Sequence, residues 1–299
     1  MALVSGPVRV TVPATSANLG PGFDALGLAL SMRDTLSAEV LPSGLVVEVT
    51  GAGASDVPRD ESHLVVRCIR AALARLGESA PGLRLTCENV IPHSRGLGSS
   101  SAAIVAGLGL GRALVVHGAE QLSDDELFRM AADIEGHPDN VAPALFGGFT
   151  ISGHEPSGFF SVNSPVSPVV SAVVFVPPTP VETRVARGLL PSTVPHADAA
   201  ANSGRAALLV AALAGDPSLL LPATREWLHQ DYREPAMPES LALVRSLRAL
   251  GFAAIVSGAG PTVLAFATSA DARAELLTRM PEGWASHALE VDHDGLIVG

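Results

Sequence analysis

The sequence predicts a two-lobed enzyme of mixed α/β or α+β class, and three observations lead there. Segments with the two-residue period of strands and the 3.6-residue period of helices alternate in both halves of the chain. At 299 residues the chain exceeds the usual single-domain size of about 100 to 200 residues. Residues 154–168 are rich in Ser, Gly and Pro with little hydrophobic pattern, which sets a boundary near residue 160 and divides the chain into 1–160 and 161–299.

The elements follow in order. Residues 8–12 alternate as a strand, and 14–24, with Gly20-Pro21-Gly22 inside it, reads as a loop. Segments 35–41 and 45–50 flank Pro42-Ser43-Gly44 and read as a hairpin. Leu64, Val65, Cys68, Ala71, Ala72 and Leu76 recur at helical spacing and stop at Gly77. After a strand over 83–89 comes an apolar helix with Ile104, Leu108 and Val115 on one face, where Gly107, Gly109 and Gly111 imply close backbone packing. Ser123-Asp124-Asp125-Glu126 opens a helix to residue 134, its acidic first turn complementing the helix dipole. Beyond the boundary the pattern gives a strand over 169–176, helices over 202–214 and 238–250, strands over 253–257 and 262–267, a helix over 271–279 and a strand over 287–291.

Composition removes several function classes. The hydrophobic content of 47% with 16% charged residues is that of an ordinary globular protein. A net charge of -11 without any basic run argues against nucleic-acid binding. All nineteen cationic side chains are arginine. A Walker A loop, a protein-kinase strand lysine and Schiff-base chemistry are therefore impossible, and any polyphosphate must be met by backbone N–H groups, a helix N-terminus, a divalent metal and arginine. Cys68 and Cys87 stand in apolar surroundings without metal-ligand spacing and read as buried thiols of a cytoplasmic protein. No signal peptide or membrane span is expected, since Arg112 interrupts the most apolar stretch. His137 alone among nine histidines has a motif around it, and no zinc spacing or GxSxG elbow occurs.

The phosphate-binding candidate is Pro92-His93-Ser94-Arg95-Gly96-Leu97-Gly98-Ser99-Ser100-Ser101-Ala102, where a strand runs through glycines into hydroxyls at a helix start. Glycines let the backbone approach phosphate oxygens, first-turn N–H groups point at them, and serine oxygens can cap the helix or coordinate a metal. The same residues would also make a capped helix with a flexible lead-in, and on their own they leave both readings open. The dinucleotide fingerprint fails at Ser101, which stands where its third glycine should be.

Four motifs in order, PATSANLGPGFDALGLAL, IPHSRGLGSSSAA, EGHPDNVAPALFGG and SGAGPTVLAF, resemble the GHMP kinases and, within them, the homoserine kinase family. The resemblance spans nearly the whole chain. It implies an α+β, two-domain GHMP-kinase fold: an N-terminal α/β domain binding ATP through the Gly-Ser loop, and a ferredoxin-like C-terminal domain. The implied reaction is phosphorylation of the L-homoserine side-chain hydroxyl by ATP with Mg2+, a step of threonine biosynthesis, in a cytoplasmic homodimer with no nucleic-acid or membrane partner.

Residue by residue, the resemblance makes Ser100 and Glu135 the Mg2+ ligands and carries substrate contacts to Asn18, Asp24, His137, Asp139 and Asn140. Asp24 or Asp139 would meet the substrate ammonium, and Thr183, Arg187 and Arg233 its carboxylate. Asn140 would align the hydroxyl, with Asp139 acting in binding and, alternatively, as base; phosphoryl transfer depends mostly on positioning and charge stabilisation. Two segments depart from the family pattern: Glu226-Trp227-Leu228-His229 replaces an aspartate-containing stretch, and Ser62-His63-Leu64 an asparagine-containing one that borders adenine. A GHMP kinase for another small alcohol of the mevalonate or shikimate class, and a non-catalytic binding protein of this fold, are the alternatives.

Overall fold

The computed structural model describes residues 2–299. The first half contributes six strands of a seven-stranded sheet. It opens with β1 (Val8–Ala17), β2 (Leu26–Leu41) and β3 (Gly44–Gly51), then α1 (Leu64–Arg75), β4 (Gly82–Asn89) and α2 (Ser99–Ala113). There follow α3 (Gly118–Gln121), α4 (Asp124–Glu135), α5 (Val141–Phe146), β5 (Phe149–Glu155) and β6 (Gly158–Ser164). The expected boundary at residue 160 falls inside β6, which pairs with β5 along its length, so the first sheet continues to Ser164.

Two further expectations are corrected by pairing. Residues 14–17 are not loop: β1 runs on to Ala17, and after a bulge at Pro13/Ala14 it pairs with the start of β2. The segments around Pro42-Ser43-Gly44 do not form a hairpin. Strand β4 inserts between them, antiparallel to β2 and parallel to β3, with Gly82 opposite both Leu41 and Gly44. The β3–β4 pair is parallel because α1 supplies the crossover that parallel strands need.

Helix α2 lies against β1 with α1 and α4 beside it. Its glycines do what the sequence implied: a Cβ on Gly107 would stand 2.5 Å from the Cβ of Cys68, and one on Gly111 2.7 Å from that of Ala72, both on α1. The close approach lets Ile104, Val105 and Leu108 reach full burial, each worth about 1.5–3 kcal/mol.

The second half contributes β7 (Ser171–Val176), α6 (Thr183–Gly188), α7 (His196–Ala214), α8 (Leu220–Ala223), α9 (Pro238–Ala249), β8 (Ala254–Val256), β9 (Val263–Ala267), α10 (Ala270–Leu277) and β10 (Ala285–Glu290). Its four-stranded antiparallel sheet has the order β10-β7-β9-β8, the βαββαβ arrangement of a ferredoxin-like unit. β7 is buried at every position because both its faces are covered: Val173 and Phe175 join the small core under α9 and α10, and Ala172 and Val174 the large one. The last strand, β11 (Ile297–Val298), returns to pair with β1.

The end of β1 and the loop after it dock into the second half. Asn18 Nδ2 donates to Gly258 O (2.8 Å), Asn202 Nδ2 to Pro21 O (2.8 Å) and His229 Nε2 to Gly20 O (2.8 Å), while the hydroxyls of Ser16 and Ser257 are hydrogen-bonded at 2.8 Å. A cleft forms along this seam.

Candidate active site

From β4 the chain crosses 90–98 into α2. On β2, the buried carboxylate of Asp34 accepts from Val90 N (2.6 Å) and Ile91 N (2.9 Å) and fixes the direction of the crossing. Burial pushes its pKa up to about 6 against the opposing effect of those two amides. Four successive carbonyls, of residues 94 to 97, accept from Val181 N (3.2 Å), Thr262 N (3.2 Å), Ser257 Oγ (2.6 Å) and Thr15 N (3.1 Å). The first-turn N–H groups of α2 have no intrahelical acceptor and no side-chain cap. With the positive end of the dipole behind them, they make an anion cradle that needs no lysine.

Gly98 is the N-cap, at φ 69°, and a Cβ there would stand 1.9 Å from Thr15 Oγ1. The serines do not cap the helix, contrary to one expectation. Ser100 Oγ and Ser101 Oγ each donate to the Glu135 carboxylate at 2.9 Å. Ser94, Gly96, Gly98, Ser99 and Ser100 line a cavity of about 140 Å3 together with Glu135.

Not every predicted nucleotide residue faces it. Arg95 turns away, donating to Pro177 O (3.0 Å), Pro178 O and His93 O (3.1 Å), so it ties the loop to the segment before α6. Leu97 and Ala102 are core residues with no exposed surface. Pro92 lines neither this cavity nor its neighbour, and His93 belongs to the neighbour.

The other wall carries the predicted substrate residues. Asn140 Oδ1 accepts from Thr15 Oγ1 (2.8 Å), which leaves its amide N–H groups for a ligand. Asp139 is buried and bonded to His137 Nδ1 at 2.9 Å. Burial disfavours the charged His137 ring, but the hydrogen bond and charge of Asp139, helped by Glu135, outweigh it and raise the pKa. Thr183, Arg187 and Arg233 complete the wall. Arg187 forms a two-pronged pair with Asp24, at 2.6 and 3.1 Å, and this bond holds its pKa above the ordinary value despite partial burial. Arg233 is buried, donates to Gly258 O (3.0 Å) and leaves its Nε without a partner. Burial, then the nearby Arg187 charge, lowers its pKa to about 10.

Comparisons with known proteins fit this arrangement. Residues 63–148 match the family described as GHMP kinases N terminal domain, and 208–286 the one described as GHMP kinases C terminal. A homoserine kinase of Streptomyces avermitilis is 54% identical over 292 residues, covering 97% of this chain and 95% of that protein. One of Clavibacter michiganensis is 49% identical, covering 97% and 93%. The crystal structure of a homoserine kinase from Cytophaga hutchinsonii superposes with a TM-score of 0.88 at 27% identity, covering 100% of this chain and 99% of that one.

The chain belongs to the homoserine kinase family. In this member of the GHMP kinases, a second hollow of about 290 Å3 adjoins the anion cradle, since Ser94, Ser99 and Ser100 line both. Its exposed wall is mostly apolar, with Asp34, His63, Asn89 and His93 among its polar points, and the buried Nδ1 of His63 has no partner. Burial, reinforced by Arg59, keeps His63 below its ordinary pKa.

Several residues escaped the sequence reading. Thr15, Asp34 and Phe23 stand inside or beside recognised motifs but look like strand or loop filler. Glu226, noted as a departure, accepts from Leu228 N (2.6 Å), His229 N (2.9 Å) and Gln230 N (2.8 Å), so it folds the turn that delivers His229 and Arg233.

Proposed function

We propose that this homoserine kinase family member transfers the γ-phosphoryl group of ATP to the side-chain hydroxyl of L-homoserine. The observation that carries the reading is a lysine-free cradle of unpartnered helix N–H groups, with an apolar hollow on one side and a wall of Asp139, Arg187 and Arg233 on the other, Arg187 being paired with Asp24. The hollow suits the nucleoside, with His63 and Asp34 as the polar points that could meet its base.

On the substrate side, homoserine brings an ammonium and a carboxylate. The Asp24–Arg187 pair is about one-third exposed, at 35% and 36%, and such pairs are worth about 1 kcal/mol or less. Hydrogen bonds to charged groups contribute about 1.5–3 kcal/mol each, so the zwitterion can open the pair, giving its ammonium to Asp24 and its carboxylate to Arg187 and Arg233. Mevalonate and shikimate have a carboxylate but no ammonium, and would leave Asp24 uncompensated.

Ser100 and Glu135 fit Mg2+, a hard cation that takes one or two protein oxygens and fills its shell with phosphate oxygens and water. No group of three His, Cys, Asp or Glu side chains able to hold a metal occurs among the described residues, which suits an ion carried in with the nucleotide. Bound there, it would neutralise charge on the β- and γ-phosphates. Asn140, fixed by Thr15, orients the substrate hydroxyl; the hydroxyl oxygen forms the new bond to phosphorus as the bond to the β-phosphate oxygen breaks, ADP departs, and the hydroxyl proton passes to an oxygen of the transferred phosphoryl group. His137 and Asp139 hold the substrate end, and the cradle N–H groups meet charge on the transferring group.

We further propose a cytoplasmic homodimer. Two free buried thiols suit a reducing compartment, and edge strand β6 presents Phe160 and Val162 at 45% and 55% exposure. No helix among the described residues is long and apolar enough to cross a membrane. A coupled ADP-release assay with homoserine, mevalonate or shikimate, with and without Mg2+, tests the reading. Turnover should need homoserine and Mg2+; turnover with another alcohol and none with homoserine would overturn the assignment.

A further inference from the structure

We propose that His229 is a positioning residue that aims Arg233 at the substrate carboxylate, acting as a neutral imidazole wedged between Arg233 and the Gly20 carbonyl. The inference rests on reading the cleft as the homoserine site.

The tautomer follows from the partners. Arginine has only N–H donors, so the 3.2 Å contact from Arg233 Nη1 makes His229 Nδ1 an acceptor. The ring proton must then sit on Nε2, where it is donated to Gly20 O at 2.8 Å. One imidazole therefore joins the loop that carries Asn18 and Asp24 to a guanidinium 213 positions later in sequence number, counting from Gly20 to Arg233. A protonated ring would set N–H against N–H and two cations in contact, with no water to separate them, because His229 has no exposed surface.

The surroundings leave the ring little freedom. It packs on Phe23 with centroids 5.3 Å apart, and the same Phe23 ring carries the guanidinium groups of Arg233 at 5.7 Å and Arg187 at 5.6 Å. Glu226 holds the backbone of His229 and has its Oε2 3.7 Å from Nε2. Arg233 itself has few anchors. Apart from His229, its only side-chain hydrogen bond among the described residues is to Gly258 O, and its Nε is buried without a partner, while the residue lines the cavity. Remove the imidazole acceptor and Gly258 O is the one hydrogen bond left to set the orientation of the guanidinium over Phe23. The carboxylate would then lose one half of its clamp, while the nucleotide hollow and the Ser100–Glu135 pair, which His229 does not touch, would be unaffected.

The test compares His229→Asn, His229→Gln and His229→Leu in steady-state kinetics, with 3-aminopropan-1-ol, which is homoserine without its carboxylate, as competitive inhibitor. Asparagine keeps an acceptor at the Nδ1 position; glutamine keeps only the donor toward Gly20. Expected are rises in the homoserine KM of roughly ten- to a hundredfold for His229→Gln and His229→Leu, the range of one hydrogen bond to a charged group, and at most about fivefold for His229→Asn. The kcat and the KM for ATP should stay within about twofold in all three, and so should the inhibition by 3-aminopropan-1-ol in His229→Gln, which keeps the donor to Gly20 and with it the loop that carries Asp24. In His229→Gln, equal weakening of homoserine and the carboxylate-free analogue, in any variant a parallel loss for ATP, or an unchanged KM in His229→Leu would each overturn the proposal. A wild-type chain that turns over no homoserine would sink the functional reading instead.

Discussion

Glu135 receives both the Ser100 and Ser101 hydroxyls, so its carboxylate is held toward the cradle from the end of a different helix. Glu135→Gln keeps the shape but removes the charge. The kcat should fall about a hundredfold or more, and the Mg2+ concentration for half-maximal rate should rise; a Mg2+ titration of ADP release checks both. Thr15→Val probes Asn140 from behind. Its lost hydroxyl frees the Asn140 amide to flip, so kcat should drop about tenfold with both KM values nearly unchanged. Asp34 gives a pH signature. Its native pKa of about 6 lies above the ordinary 3.8, so between those values the native state binds more protons than the unfolded one, and its contribution lowers stability as pH rises through that window. Asp34→Asn keeps an acceptor for the amides of Val90 and Ile91 and should remove this slope, becoming the more stable protein above about pH 6, whereas Asp34→Ala should cost about 1–3 kcal/mol. Urea unfolding from pH 4 to 8 separates the three. Glu135 and Asn140 were named from their motifs, but the contacts that hold the site were not legible from neighbouring residues: Thr15 and Asn140 are joined across 125 positions, and Arg95 finds its carbonyl partners 82 and 83 positions away.

At the scale of elements, what was legible was local. Ser123 forms its capping box with Glu126, helix α1 ends beside Gly77, and Gly107 and Gly111 of α2 sit where it touches α1. The misread elements are those decided by distant pairing. A Pro-Ser-Gly turn between two alternating segments reads as a hairpin, and only β4, arriving more than thirty residues later, separates the two strands. The boundary expected near residue 160 falls in hairpin β5–β6 because β6 inverts the usual pattern, with apolar Phe160 and Val162 exposed and polar Ser161 half-buried, accepting from Ser152 Oγ (3.0 Å). The cradle was legible as glycines and hydroxyls, but its geometry was not: the N-cap turned out to be Gly98, in a left-handed conformation against Thr15. Gly98→Ala combines a disfavoured φ with a clash and must shift the α2 N-terminus. The KM for ATP should rise at least about tenfold, and kcat should fall with it because the added Cβ would stand 1.9 Å from Thr15 Oγ1 and 3.1 Å from Asn140 Oδ1, whereas homoserine affinity, set by its ammonium and carboxylate contacts, should change less; isothermal titration of each ligand distinguishes the effects.

The whole molecule is not two beads on a string, because the chain leaves the second sheet and ends on the first. After β10, Asp292 accepts from Asp294 N (3.1 Å) and Gly295 N (3.1 Å) and pairs with Arg33. Arg33 also donates to Gly295 O and Thr11 O, so one guanidinium clamps the returning segment to β1 and β2. Leu296 then lies against Gly109 of α2, the helix whose first turn is the anion cradle, and β11 pairs with Val10 and Thr11. Removing residues 292–299 would strip Arg33 of its carboxylate, open a gap beside Gly109 and expose the β1 edge. Leaving one buried charge without its partner costs about 3–5 kcal/mol, and Arg33 is mostly buried, at 20% side-chain exposure. At roughly 2–4 °C per kcal/mol, the truncated chain should melt at least about 6 °C lower. Because the same segment supports α2, added ATP should recover less of that loss than it contributes to the intact protein. Thermal melts of both chains with and without ATP measure this, and an equal ligand-induced shift would mean that the C-terminal return stabilises the fold without reaching the cradle.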